Sequence, residues 1–245
     1  MSSAEYNTQV SEGKIEMKMK WLILAVIVSS LVLLGACKIL PTPPEPPPVT
    51  PTPTPPTPEP PEGVLYSDDF SDDTSGWDTF EDEDGWASYT DGWLHVTNYT
   101  PAELATFSMA HQYFEDFILE VETKLVDGTD DNYHQIAIRA NDERGDGYNF
   151  GVSADGYYQI GIEIAGSSEQ VTDPISSSHI LQGWDVINLI RIECVGSTLR
   201  LFVNGHLLKE FTDSRLQGGD IGLGSSSLAG TFSEVAFDNI VVTAP

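Results

Sequence analysis

Between Ile39 and Thr123 the chain has no lysine and no arginine, and from Val64 to its end 32 acidic residues stand against 7 basic ones, a formal charge of −25. A surface so poor in cations repels phosphate backbones and anionic headgroups, which argues against nucleic-acid binding. It suits neutral glycans, cations or salty surroundings. Cysteine is scarce too, with only Cys37 and Cys194 present, so no intramolecular disulfide forms if Cys37 serves elsewhere. The five histidines, His95, His111, His134, His179 and His206, lack ligand spacing, which argues against zinc. No Gly-x-Ser-x-Gly elbow occurs and the cysteine of the domain reads as buried, so nucleophilic hydrolase schemes have no support; helical periodicity nearly vanishes after Gly63.

What is present divides the chain into residues 1–37, 38–63 and 64–245. Trp21 to Ala36 is an uncharged, largely apolar run preceded by Lys14, Lys18 and Lys20, the order of an export signal. It ends on Leu34-Gly35-Ala36-Cys37, which resembles the bacterial lipobox, whose cysteine receives a diacylglyceryl group before cleavage ahead of it. The resemblance implies a lipid anchor on Cys37 in the cell membrane, with the rest of the chain on the extracytoplasmic side. An alternative continues the run to Leu40 as an uncleaved transmembrane helix of the same orientation. MKMKWLILAV reads as an ordinary signal start, so translation from Met17 stands beside translation from Met1. Thirteen of the sixteen prolines then fall between Pro41 and Pro61, a composition that favours a disordered, polyproline-rich stalk reaching up to about 70 Å.

From Val64 onward short alternating runs recur between tight-turn pairs. Three hairpins read directly: WASYT-DG-WLHVTNY, YNFGVSA-DG-YYQIGIEI and INLIRIECV-GS-TLRLFV, the last turning through Asn204-Gly205 into HLLKEF. With FILEVETKL, YHQIAIRAN, DIGLGS and VAFDNIVV the strands number at least ten, too many for one flat sheet. The expected fold is all-β, a two-sheet jelly-roll sandwich forming a single domain. Cys194 alternates with Ile190 and Ile192, which predicts a buried, unreactive thiol.

Several runs carry a family resemblance. Gly183-Trp184, Asn188-Leu189-Ile190-Arg191-Ile192, Gly196 to Gly205, Gly219-Asp220-Ile221-Gly222-Leu223 and Phe237-Asp238-Asn239-Ile240 resemble the C-terminal half of concanavalin-A-like and laminin-G-like jelly rolls. Bacterial members include 3-keto-disaccharide hydrolase and family-16 glycoside-hydrolase-like domains. Asp68-Asp69-Phe70 with Gly76-Trp77 is similar to the N-terminal edge of the same domains. The resemblance implies the fold over almost all of 64–245, while that fold carries lectins, hydrolases and adhesive modules alike.

Alternation sorts side chains by face. The outward set of one sheet is expected to include Tyr133, Gln135, Arg139, Asn149, Tyr157, Gln159 and Glu163, joined by Glu120 if its strand adjoins. Aromatic rings accept the apolar side of a sugar while amides and charges bond its hydroxyls, so this face is the candidate site for a glycan or other surface polymer. A plain wet sheet face is the competing reading, in which the domain is a structural or adhesive module. Trp77, Trp86, Trp93 and Trp184 are expected mainly in core and edge-sealing roles. Glu120 and Glu122 are the sequence-visible carboxylate pair for an alternative glycoside hydrolase. Family-16 enzymes carry a third carboxylate further along that strand; Lys124-Leu125 occupies its place, leaving Glu163 to substitute from a neighbouring strand. As cofactor, a structural calcium between Asp69 and Asp238 is expected if the terminal strands lie side by side, as the resemblance implies.

Overall fold

The structure, a computed structural model, describes residues 63–100, 104–228 and 232–245. The signal segment, Cys37 and the proline stretch lie outside the described residues. Apolar alternation becomes strand throughout, and no helix occurs among the described residues. In chain order the strands are β1 (Val64–Asp68), β2 (Phe80–Glu81), β3 (Gly85–Thr90), β4 (Trp93–Asn98), β5 (Ala105–Met109), β6 (Phe117–Gly128), β7 (Tyr133–Asn141) and β8 (Asp146–Ser153). They continue with β9 (Tyr157–Ile164), β10 (Ser167–Ser176), β11 (Asn188–Val195), β12 (Thr198–Val203), β13 (His206–Thr212), β14 (Asp220–Ser226) and β15 (Ser233–Thr243).

Two antiparallel sheets form the expected jelly-roll sandwich. A nine-stranded sheet runs β13-β12-β11-β6-β15-β4-β3-β2 with β1 also on β15, and a six-stranded sheet runs β10-β9-β8-β7-β14-β5. The three expected hairpins are β3–β4, β8–β9 and β11–β12. At the first, Asp91 and Gly92 both take positive φ, 53° and 79°, the backbone a two-residue type I′ turn demands.

Side chains from both inner faces meet between the sheets. In β6, Phe117, Leu119, Val121 and Leu125 are fully buried while Ile118, Glu120, Glu122 and Lys124 point away, as a period of two requires. Each such fully buried Leu or Phe contributes about 1.5–3 kcal/mol. Cys194 lies in this core, and burial pushes its thiol up to about 11, so it stays a neutral packing group. Polar links also cross between the sheets: His134 Nδ1 meets Thr123 Oγ1 at 3.0 Å, and Ser225 Oγ donates to Ser233 Oγ at 2.7 Å. His134 Nε2 is buried without a partner, and burial pulls the imidazole down to about 3, so it is held neutral.

Three strands escape the sequence reading, β2, β5 and β10. The run of β10, SSEQVTDPIS, is polar and holds Pro174 because it is the outer edge of its sheet, where a missing N–H costs no ladder bond. In β5 the large side chains Phe107 and Met109 stand on the outer face while Ser108 is buried. Its size pattern is therefore inverted with respect to the core.

Candidate functional site

The outer face of the six-stranded sheet is built in rows set by the strand register. One row runs Phe107, Gly224, Gln135, Gly151, Gln159 from β5 to β9, and the next runs Met109, Gly222, Ala137, Asn149, Gly161, Gln170 from β5 to β10. Gly147 lies opposite Glu163 one step further on. Glycine or alanine thus occupies most of the middle, and the larger side chains stand around them. At Gly224 an added Cβ would lie 2.5 Å from the Phe107 ring, and at Gly151 it would lie 3.0 Å from Tyr133 and 3.3 Å from both Gln135 and Gln159. The absence of side chains is what admits these neighbours.

A cavity of about 250 Å³ opens on this face, lined by Phe107, Met109, Ala137, Asn149, Glu163 and Asp78 among others. Its size is just under the usual ligand-pocket range of about 300–1,000 Å³. Among the described residues the side chains of Asn149, Gln159 and Glu163 make no hydrogen bond or ion pair, so they remain available to a ligand. Tyr157 is 40% exposed at the end of β9. At the rim, Asp78 Oδ1 lies 2.7 Å from His111 Nε2, a contact that raises the imidazole above its usual range.

Of the residues expected on this face, the structure brings together Tyr133, Gln135, Asn149, Tyr157, Gln159 and Glu163. Tyr133 and Gln135 face outward in register but are only 2% and 6% exposed. The Gln135 amide donates to Ser226 Oγ at 2.9 Å, and burial pushes the Tyr133 phenol up to about 12. Phe107, Met109 and the floor glycines are the members that sequence reasoning missed. The period-two pattern of ATFSM was the available signal, read with its apolar side outward.

Arg139 is a correction. The register of β7 against β8 shifts between Ile138 and Asn141, and Arg139 takes φ 48°. The bulge turns its side chain off the sheet face into the end of the sandwich, where it is 1% exposed.

Glu120 is a second correction. It lies with Glu122 on β6, in the nine-stranded sheet, so Glu163 of the six-stranded sheet is on the opposite side of the sandwich and cannot complete their set. Glu120 pairs with Arg191 at 3.7 Å, and Glu122 accepts from Asn239 Nδ2 at 3.2 Å. Arg191 and Arg200 both pair with Glu193, and Arg200 also pairs with Glu210, so that face is a lattice of ion pairs. Neither Glu120 nor Glu122 lines the cavity on the other face.

The four tryptophans among the described residues avoid the glycine-floored face. Trp77 is buried and donates to Tyr66 Oη at 2.8 Å. Trp86 stacks on His95, and Lys124 Nζ lies 4.5 Å over the Trp93 ring, both pairs on the nine-stranded sheet. Trp184 is 53% exposed and donates to the Gly128 carbonyl.

The terminal strands do lie side by side, β1 pairing with β15 with Asp68 opposite Ile240. Their carboxylates do not fit a calcium ion. Asp69 is turned to the Ser71 N–H and hydroxyl, and Asp238 to the Asn239 N–H. Burial, with Glu122, Asp69 and Asp68 nearby, raises Asp238 above the usual carboxylate range. Among the described residues no group of three or more His, Cys, Asp or Glu side chains converges as a metal site, whereas calcium takes six to eight oxygen ligands.

Known structures of the same architecture are numerous and distant in sequence. The carbohydrate-binding module CBM66 from Bacillus subtilis is 16% identical, with a TM-score of 0.57 over 69% of this chain and 96% of that one. A Bacillus licheniformis β-glucanase is 13% identical, with a TM-score of 0.55 over 75% and 99%. A Bacillus subtilis protein with a galectin-like fold is 13% identical, with a TM-score of 0.55 over 74% and 96%. At these identities the likeness establishes the fold. No curated protein matches the chain. Residues 67–243 match the family described as the 3-keto-alpha-glucoside-1,2-lyase-like domain, and the chain belongs to that family.

Proposed function

We propose that this protein is an extracytoplasmic lipoprotein, anchored through Cys37 and held off the membrane by its proline stalk, whose sandwich domain binds carbohydrate on the outer face of the six-stranded sheet. The observation that carries the binding reading is the glycine floor, bordered by Asn149, Gln159 and Glu163 without internal partners and by exposed Tyr157. A flat floor admits a sugar ring close to the backbone, Tyr157 offers a stacking face, and the amides and the carboxylate take its hydroxyls. The acidic surface favours a neutral glycan over an anionic one. The carbohydrate-binding module among the structural neighbours and the family's sugar-directed description support the same ligand class. The lipobox-like Leu34 to Cys37 supports the anchor.

Affinity electrophoresis of the full chain in gels holding neutral polysaccharides (β-glucan, levan, mannan) tests the binding. Retardation by at least one is expected, with Tyr157→Ala and Gln159→Ala each reducing it about tenfold; wild-type mobility unchanged in every gel defeats the reading. For the anchor, palmitate label should enter the wild-type chain and not Cys37→Ala.

A second reading, glycoside processing, is favoured by the family's lyase-like description together with Glu163, a carboxylate in the cavity that has no internal partner. Turnover of a glycoside that survives Glu163→Gln would remove it.

A further inference from the structure

At the end of the sandwich where β7 finishes, three connections converge: residues 110–116 between β5 and β6, Gly196-Ser197 between β11 and β12, and residues 213–219 between β13 and β14. The Arg139 guanidinium lies among them and donates to a carbonyl oxygen of each, Glu115 at 2.9 Å, Gly196 at 2.9 Å and Leu216 at 2.7 Å. Asp116 Oδ1 accepts from Arg139 at 3.3 Å and from the Gly196 N–H at 2.8 Å. Phe114 and Gly219 exchange backbone hydrogen bonds of 2.9 and 3.0 Å. One buried side chain thereby holds three loops in fixed relation, the support that a site built on loops needs.

Between these loops lies a cleft of about 780 Å³, within the range of ligand sites, and it shares no lining residue with the cavity on the sheet face. Tyr113 stands at its wall, 70% exposed. Its hydroxyl rests where Gly218 has no side chain, since a Cβ there would lie 2.5 Å from it. Among the described residues, the side chains of Gln112, Glu115, Ser197 and Gln217, which also line the cleft, have no hydrogen bond or ion pair.

Charge selects the ligand class. The donors of Arg139 are turned to three carbonyls and to Asp116, so among the described residues the cleft offers no free cation to a phosphate or carboxylate, and Glu115 and Asp116 add negative charge. A ligand that lays an apolar face on a phenol ring and gives hydroxyls to amides and a carboxylate is a neutral sugar. We propose that this cleft is a second carbohydrate site, independent of the sheet face, which takes a neutral saccharide stacked on Tyr113 and hydrogen-bonded by Gln112, Glu115 and Gln217.

The test is titration calorimetry of the full chain with laminarihexaose, cellohexaose and levan oligosaccharides. Tyr113→Ala should weaken at least one of these about tenfold, and Gln217→Ala should weaken the same one by less. Both variants should keep the wild-type melting temperature, because both side chains are exposed. For a saccharide that both sites take, the wild-type isotherm should show two classes of site, one removed by Tyr113→Ala and the other by Tyr157→Ala. If Tyr113→Ala and Gln217→Ala bind every probe like wild type, the cleft is not a saccharide site. The same conclusion follows if wild type binds none of the probes. Loss in Tyr113→Ala with no loss in Tyr157→Ala upholds the cleft and defeats the sheet-face reading, and the reverse pattern does the opposite.

Discussion

The two outer faces of this sandwich are made of the same strand chemistry and come to opposite ends. On the nine-stranded sheet, Arg191 and Arg200 are shared among Glu120, Glu193 and Glu210, while Lys124 lies over Trp93. Charged side chains there pair with one another. On the six-stranded sheet the middle is glycine and alanine, and Asn149, Gln159 and Glu163 have no partner among the described residues. A face whose side chains are already paired has little left for a ligand, whereas one with an open floor and unpaired amides keeps both room and bonding capacity. The contrast also explains where the basic residues go in so acidic a domain. Arg191, Arg200 and Lys124 sit on the paired face, Arg139 is internal, and Arg144 and Arg215 pair with Asp146 and with Asp213 and Glu169.

Arg139 gives the sharpest way to break the comparison, because sequence alternation assigns it to the open face and the bulge removes it. An arginine on a wet face is worth little, yet removal of this one strands the carbonyls of Glu115, Gly196 and Leu216. Arg139→Met is therefore expected to lower unfolding free energy by at least about 3 kcal/mol, measured by urea denaturation. A loss below about 1 kcal/mol would return it to the surface.

The next effect concerns the core that the two faces share. His134 is held neutral, with its pKa lowered in the folded state to about 3 from 6.5. The unfolded chain binds the proton more readily, so this group's contribution is intact above about pH 6.5 and is lost as pH falls from there toward 3. Roughly 2 kcal/mol should be gone by pH 5. Chemical denaturation between pH 7.5 and pH 5 should show a steeper fall for wild type than for His134→Leu; equal slopes would mean that the imidazole is not buried neutral.

The smallest expected effect belongs to the paired face. Arg200→Ala should cost under about 1 kcal/mol, and less at high salt, because its partners are partly exposed. A larger cost would show that the lattice acts as one network.

How far the sequence foretold this molecule varies by residue. The Asp91-Gly92 and Asn204-Gly205 turns were legible because a type I′ turn demands positive φ, which few residue pairs supply. The inward sets of β6, β8 and β9 were legible because one face of each is dry, so period two fixes which side chains are buried. The edge strand β10 was hidden by its own polarity, and β5 by its inverted pattern. The site was half legible. Asn149, Tyr157, Gln159 and Glu163 follow from alternation, but the glycines beneath them carry no side chain for a pattern to register.

What the sequence alone determined is therefore local: strand and turn identity, the buried thiol, the acidic balance, and the family to which residues 67–243 belong. Which strands are neighbours was decided only in three dimensions. Glu120 and Glu163 read alike along the chain, yet strand order puts them on opposite faces, and a single bulge takes Arg139 from a presumed sugar face to the end of the core. The reason is physical. Alternation records only which side of its own strand a residue occupies, while sheet membership, bulges and the convergence of loops depend on contacts between segments far apart in sequence.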